Sequence, residues 1–192
     1  MWDKYQKTLN SETSFSGIGL HSGIKVDVTL IPGNSNSGIV FKRIDLEKDN
    51  EIVANFKNVS SAKLCTKIEN NHGVSVSTIE HLLAAFYVCG IDNIIVNLNG
   101  PEVPIMDGSA KEFVKIINEI GLKTLEGKRK FVRVKKSVEL KKEDGRAITA
   151  KPSNQIFDVK FTLNYKNNPL IKTQINKINF AQRNLEEIID AR

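Results

Sequence analysis

The residues best suited to chemistry in this sequence are a neighbouring carboxylate and imidazole, Glu80 and His81. Neutral imidazole is a good zinc ligand, and a carboxylate that does not bind the metal can accept a proton from metal-bound water. Adjacent helical residues diverge by about 100° around the axis, which suits one group to the metal and the other to the water. The structural alternative is that Glu80 caps a helix and His81 is a half-buried histidine. A zinc site needs two further ligands.

The stretch 75–90 predicts the helix that positions this pair. Ser77 and Glu80 have the spacing of a capping box, and Gly90 can adopt the left-handed conformation that ends a helix. Between them, an apolar face predicts packing against a core. It consists of Leu82, Leu83, Ala85 and Phe86.

Further elements are predicted on both sides of this helix. A second helix is predicted over 109–119, again with a capping box and with Gly121 at its end. Residues 122–130 are interpreted as a linker, and Asp107 as a turn or capping carboxylate. Apolar patterns predict strands over 6–9, 24–30, 39–43, 64–68, 94–98, 131–135, 138–140, 147–150 and 156–163.

Composition and charge narrow the class of protein. The chain has 192 residues, 40% hydrophobic and 26% charged, which is typical of a soluble globular protein. It has no apolar run long enough to span a membrane, its first residues do not resemble a signal peptide, and its two cysteines are far apart. These features predict a cytoplasmic protein with reduced thiols and no stable membrane insertion.

The net charge of +6 includes a dense basic stretch over 128–142. Nucleic-acid binding is one interpretation, but no recognition helix or aromatic ribonucleoprotein motif accompanies the charge. We therefore expect no nucleic-acid partner, and favour a basic groove for a phosphorylated small molecule.

A short internal similarity suggests duplication. Residues 29–34 (TLIPGN) resemble residues 149–154 (TAKPSN), and both follow strand patterns. If the chain contains two related units, the second is only about half present. Residues 185–192 have a helical pattern with no stop signal, which predicts that the chain is cut short.

Five co-linear motifs resemble the N-terminal part of the LpxC family, the UDP-3-O-acyl-N-acetylglucosamine deacetylases. This family comprises the zinc amidases of lipid A synthesis in Gram-negative bacteria. The motifs are GIGLHSG (17–23), LCT (64–66), STIEHL (77–82), GIDN (90–93) and PIMDGSA (104–110).

The resemblance implies an α+β fold of two similar two-layer domains, each a small sheet with two helices, the helices lying sandwiched between the two sheets. The first domain would cover 1–126, with the Glu-His motif. The second, covering 127–192, would be incomplete. The active site of the family lies between the domains and acts on the N-acetyl group of a UDP-sugar.

The resemblance also implies roles for individual residues. His81 matches the first Zn2+ ligand, and Glu80 matches the general base. Leu64 and Cys65 match positions near the mouth of the site, and His21 lies in a glycine turn near it. Tyr165 falls where the family often has an aromatic residue close to uracil.

The sequence departs from the family pattern in its second half. The remaining zinc ligands of the family lie in an H-K-x-x-D motif, which this sequence lacks, and no histidine follows His81. We therefore expect the chain alone to bind zinc weakly and to have little or no activity, with a missing C-terminal half needed to complete the site. The alternatives are a non-catalytic truncated remnant and a phosphate-ligand or nucleic-acid binding module.

Overall fold

A computed structural model of the chain describes residues 3–154, 157–165, 168–180 and 185–191. The chain forms two compact units. The first unit comprises the residues up to Arg129 together with the segment after Leu185, and the second unit comprises Lys130–Leu185. The chain is α+β, as predicted. Within the described residues, no helix is long and apolar enough to cross a bilayer.

The first unit combines strands with three helices. Its strands are β1 (Tyr5–Leu9), β2 (Thr13–Ile18), β3 (Lys25–Pro32), β4 (Ile39–Arg43), β5 (Glu51–Val53), β6 (Val59–Ser61), β7 (Lys67–Glu69), β8 (Ser75–Val76), β9 (Ile94–Leu98) and β10 (Leu122–Lys128). Its helices are α1 (Glu80–Cys89), α2 (Lys111–Ile120) and α3 (Glu186–Ile189), with a short 3-10 helix at Phe56–Asn58.

A five-stranded sheet in the order β2-β3-β9-β4-β5 is the framework of the first unit. Neighbouring strands run antiparallel except β4 and β9, which are parallel. Alternate residues of the central strands point to one face and are fully buried, as the period of two predicts. On β3 and β9 they are Val26, Val28, Leu30, Ile94, Val96 and Leu98.

The two long helices complete the core. Leu82 and Phe86 of α1 and Phe113 and Ile117 of α2 are buried in the same hydrophobic cluster as the sheet residues. Helix α3 lies against the start of α2, since the Ala110 amide donates to the carbonyl oxygen of Ile189 at 3.1 Å. This sheet-and-helix core holds α1, and therefore Glu80 and His81, in place.

The prediction of a linker over 122–130 is wrong. Strand β10 occupies most of it and pairs antiparallel with β1 in a separate two-stranded sheet. Arg129 then forms an ion pair with Asp92 at 2.8 Å. The prediction failed because a pairing between residues more than a hundred positions apart leaves no local pattern.

The second unit consists of two hairpins within its described residues. Strand β11 (Val138–Lys141) pairs with β12 (Ala147–Ala150), and β13 (Asp158–Tyr165) pairs with β14 (Lys172–Asn179). The strands predicted over 138–140 and 147–150 are confirmed, but residues 131–135 are not a strand. The prediction for 156–163 is confirmed from Asp158 onward, while Ile156 lies outside the described residues. The duplication stays a prediction.

Candidate functional site

Glu80 and His81 are the first two residues of α1, and both are half-buried. The backbone amide of Thr66 donates a hydrogen bond to the Oε2 of Glu80 at 3.0 Å. The first turn of a helix favours a carboxylate electrostatically, because its free amides and the helix dipole are positive there. The carboxylate of Glu80 is therefore fixed at a partly solvent-accessible surface at the start of α1, and the imidazole of His81 is its neighbour in the chain.

The capping box predicted at the start of this helix is wrong. Residue Ile79 precedes α1 without any side-chain capping bond, and Ser77 instead forms a parallel bridge with Glu102. Thr78 has a left-handed backbone with φ of 57°, which is strained for a β-branched residue. The helix can begin only after this residue, so Glu80 bonds to Thr66 rather than back to Ser77. The predicted end at Gly90 is confirmed, with φ of 78°.

The segment of Leu64 and Cys65 lies beside Glu80, because it leads directly into Thr66. It is a bend rather than the start of the predicted strand, and the strand begins only at Lys67. Leu64 has a left-handed backbone with φ of 67° and a side chain that is 86% exposed. Cys65 is half-buried. The exposed side chain of Leu64 therefore provides an apolar surface close to the half-buried carboxylate of Glu80.

His21 lies in the glycine turn between β2 and β3, and the residue is exposed. Its backbone amide donates to Oε1 of Glu102 at 3.0 Å, and the Ser22 amide donates to Oε2 at 2.8 Å. The same carboxylate accepts a hydrogen bond from the Thr78 hydroxyl at 2.7 Å. Glu102 thereby connects the His21 turn to the residues that precede Glu80.

Glu102 was not predicted as a site residue, although it is 98% buried. Its burial tends to raise its pKa, but the hydrogen bonds from Thr78, Ser22 and His21 outweigh that effect and hold the pKa below its ordinary value. The sequence feature that could have pointed to Glu102 was the presence of an acidic residue inside a stiff apolar loop that begins at Gly100. Asp107 in the same loop accepts from the Ser109 amide and hydroxyl, so the turn-carboxylate prediction is confirmed.

Tyr165 lies in the second unit, at the end of β13. It is 51% exposed and pairs in register with Lys172 of β14. The structure thus brings together three of the predicted site segments in the first unit, around Glu80, Leu64 and His21. The predicted role of Tyr165 stays a prediction.

The residues that the structure describes do not form a full zinc ligand set. Within the described ranges no group of three or more His, Cys, Asp or Glu side chains could hold a metal ion. A catalytic zinc site takes three protein ligands and a water. The first unit offers His81 as one donor, so these residues alone do not fit a complete zinc site.

The two cysteines are both half-buried free thiols. Burial raises the pKa of the Cys89 thiol to about 11. At pH 8 a thiol with that pKa is ionised in only about one molecule in a thousand, and the thiolate is the form that reacts.

We therefore expect Cys89 to resist alkylation in the folded chain. In a Cys65→Ser variant, iodoacetamide labelling of Cys89 should be slow at pH 8 and accelerate about tenfold per pH unit up to pH 10, because the thiolate fraction rises with pH. Mass spectrometry at a series of pH values measures the rate, with urea-unfolded chain as the rapidly labelled control. A rate that levels off below pH 9 would contradict the raised pKa.

Comparison with known proteins places this chain in a family. The chain is 45% identical over 183 residues to a protein of Geotalea uraniireducens, covering 95% of the chain and 58% of that protein. It is 47% identical over 161 residues to a protein of Wigglesworthia glossinidia brevipalpis (83% and 52%), and 39% identical over 191 residues to one of Aliivibrio fischeri (97% and 61%). All three are named UDP-3-O-acyl-N-acetylglucosamine deacetylase.

This α+β chain is thus related to the deacetylases, which are hydrolases. The profile of one family, LpxC: UDP-3-O-acyl N-acetylglycosamine deacetylase, matches residues 6–192, and the chain belongs to that family. The family resemblance inferred from the five motifs is confirmed. The chain spans only 52–61% of the length of these three relatives.

Proposed function

We propose that this chain is the N-terminal portion of a cytoplasmic, zinc-dependent deacetylase that acts on UDP-3-O-acyl-N-acetylglucosamine in lipid A synthesis. The observation that carries the proposal is the start of α1, where Glu80 and His81 are adjacent and half-buried in a chain of this family. The names of the relatives supply the substrate and the reaction.

The proposed reaction is hydrolysis of the N-acetyl amide. Water adds to the carbonyl carbon, the carbon–nitrogen bond breaks, acetate leaves, and the sugar nitrogen takes up a proton to become a free amine. A zinc ion bound at such a site would polarise the carbonyl and lower the pKa of the bound water. His81 would be one ligand, and Glu80 would accept the proton of the attacking water.

The remaining predicted residues are proposed to bind substrate. Leu64 and Cys65 lie beside the partner of Glu80, and His21 is connected to the start of α1 through Glu102. Tyr165 is proposed to contact the uracil ring. The stretch 130–185 carries 13 Lys and Arg against four Asp and Glu. This excess of positive charge suits a diphosphate, and it supports a UDP-sugar as the ligand class.

The chain by itself is proposed to be inactive, because it offers one zinc ligand where three are needed. The extended protein, meaning this chain continued by the C-terminal part that its relatives possess, is proposed to complete the ligand set. Structural zinc sites with four ligands in zinc-finger peptides bind Zn2+ with about 10–16 kcal/mol, which corresponds to a few kcal/mol for each ligand.

We expect the 192-residue chain to bind Zn2+ weakly and the extended protein to bind it tightly. His81→Ala should weaken zinc binding by the extended protein on the order of 100-fold or more, because one ligand is lost. Calorimetric titration of the apoprotein measures the affinity, and acetate release from the UDP-sugar measures turnover.

The matched control is His72→Ala, which removes an exposed turn histidine whose Nε2 lies 3.6 Å from the Asp49 carboxylate. It should change neither zinc affinity nor turnover. Full turnover by the isolated chain would contradict the need for the C-terminal part. An inactive, metal-free extended protein would instead support the truncated-remnant interpretation, and preferential binding of UDP without hydrolysis would support a phosphate-ligand module.

A further inference from the structure

We propose that Glu102 is a positioning residue of the site, whose carboxylate fixes the His21 turn relative to the start of the Glu80–His81 helix. This inference rests on the proposed function, because it assigns Glu102 a part in the same reaction. Glu102 itself touches no reacting atom in the proposal. It acts through His21 on one side and through Thr78 on the other.

The carboxylate of Glu102 is a buried junction of hydrogen bonds. The residue is 98% buried, and its two oxygens accept from the His21 amide, the Ser22 amide and the Thr78 hydroxyl, with donor–acceptor distances of 3.0, 2.8 and 2.7 Å. A buried carboxylate is costly unless such donors satisfy it. Because its partners lie in two different segments, separating those segments would leave the buried carboxylate without part of its donors.

On the helix side, the loop of Glu102 holds the strained residue that precedes α1. The amide of Ser77 donates to the carbonyl oxygen of Pro101 at 2.9 Å, and the amide of Val103 donates to that of Ser77 at 3.1 Å. Thr78 then has φ of 57°, a conformation that persists only when its surroundings hold it. Since Thr78 is two residues before Glu80, its conformation sets where the helix and its Glu-His pair begin.

On the turn side, Glu102 approaches the backbone closely. A Cβ added at Gly19 would lie only 2.5 Å from the Oε2 of Glu102, so a side chain there would displace the carboxylate. The turn is also closed by the Gly23 amide, which donates to the carbonyl oxygen of Gly19 at 2.9 Å. The glycine at position 19 thus permits the approach that fixes the backbone of His21.

The decisive substitution is Glu102→Gln, which keeps the size of the side chain. Its amide nitrogen would face the Ser22 amide or the His21 amide, whichever way the group is turned, so one donor would meet another. We expect kcat/KM of the extended protein to fall about 10- to 100-fold, the usual effect of losing a group that orients site residues. KM and kcat should both change, because the His21 turn and the start of α1 are both released.

Two substitutions at Thr78 distinguish the contribution of its hydroxyl, which donates to Glu102, from the contribution of its packing. Thr78→Val removes the hydroxyl but keeps the shape, and we expect it to lower kcat about tenfold with little change in KM. Thr78→Ser keeps the hydroxyl and should retain most of the activity. Equal losses in both variants would contradict the link from Glu102 to the helix.

The matched control is Asn93→Ala. Asn93 is also almost fully buried and also accepts from a backbone amide, that of Gly38 at 2.9 Å, while donating to Gln6. None of these partners is a proposed site residue. Asn93→Ala and Glu102→Gln should both lower the melting temperature, but Asn93→Ala should leave kcat/KM unchanged at a temperature where both variants are folded.

A second measurement on the 192-residue chain needs no activity. Amide hydrogen exchange at His21 and Ser22, whose amides donate to Glu102, and at Ser77, whose amide donates to Pro101, should become faster in Glu102→Gln than in Asn93→Ala, at equal overall stability. Unchanged exchange at these amides would overturn the inference, as would a kcat/KM for Glu102→Gln equal to that of Asn93→Ala. An inactive unsubstituted extended protein would count against the proposed function, whereas the exchange experiment would still decide whether Glu102 connects the two segments.

Discussion

Replacing Glu80 with Gln is expected to lower kcat of the extended protein about 10²- to 10⁴-fold, the range attributed to a positioned general base. Gln has the same shape as Glu and can still accept the Thr66 amide that now bonds to Oε2 at 3.0 Å. It cannot accept a proton from water. The fold should therefore survive while the proposed proton transfer is lost. Steady-state release of acetate at saturating UDP-sugar measures kcat, and thermal unfolding measures the stability of both proteins.

The control for this substitution is Glu112→Gln. Glu112 is likewise a half-buried carboxylate in the first turn of a helix, in this case α2, so both changes remove one charge from a helix N-terminus. The small loss of favourable helix-dipole interaction is common to both. If Glu112→Gln leaves kcat unchanged while Glu80→Gln lowers it by the expected factor, the loss is due to the missing proton acceptor and not to the lost charge at a helix N-terminus. An active Glu80→Gln enzyme would exclude Glu80 as the base.

The parts of the fold that were predictable from the sequence are those governed by local signals. The alternation of apolar residues in β3 matches its buried face, and the apolar run over 94–98 is the strand β9, as predicted. Gly90 and Gly121 end the two long helices, also as predicted. Each signal depends on residues that are close in sequence, such as a period of two or a glycine with free access to left-handed φ.

The predictions that failed concern contacts between distant segments. Ser77 fits the capping box locally, but the loop of Glu102 bonds to Ser77 and Thr78 and moves the start of the helix to Glu80. In the same way, β10 is formed by pairing with β1 across the whole first unit. The local spacing of residues shows which conformations a segment can adopt, whereas long-range hydrogen bonds determine which of these conformations it adopts in the fold.

The candidate site likewise contains residues that the sequence identifies and a residue that only long-range contacts identify. Glu80 and His81 stand out in the sequence because their residue types suggest chemistry. Glu102 has an equally reactive type, but its importance comes from burial and from donors 24 to 81 residues away. Neither property has a local signature. A network that joins several loops therefore has to be read from coordinates, even where the ligand and the base are identified from sequence.

Replacing Phe41 with Ala is expected to lower the free energy of unfolding of the first unit by about 3–5 kcal/mol, the usual cost of deleting a buried aromatic ring. Phe41 is fully buried and pairs in register with Val96 of β9 and Ile52 of β5, both also buried. The cavity would lie in the sheet that supports the helices. Hydrogen exchange of the slowest β3 and β9 amides measures the change, because these amides exchange only when the unit unfolds.

Phe56→Ala is the matched control, since it deletes the same ring from a position that is 81% exposed on the short 3-10 helix. Its effect on the free energy of unfolding should stay within about 0.5 kcal/mol, as for most surface substitutions. The comparison holds the chemistry of the change constant and varies only burial. Similar losses at both positions would mean that the exposed face around Phe56 is covered in solution, for instance by another copy of the chain. A small loss at Phe41 would contradict the packing of the central sheet, on which the position of Glu80 and His81 depends.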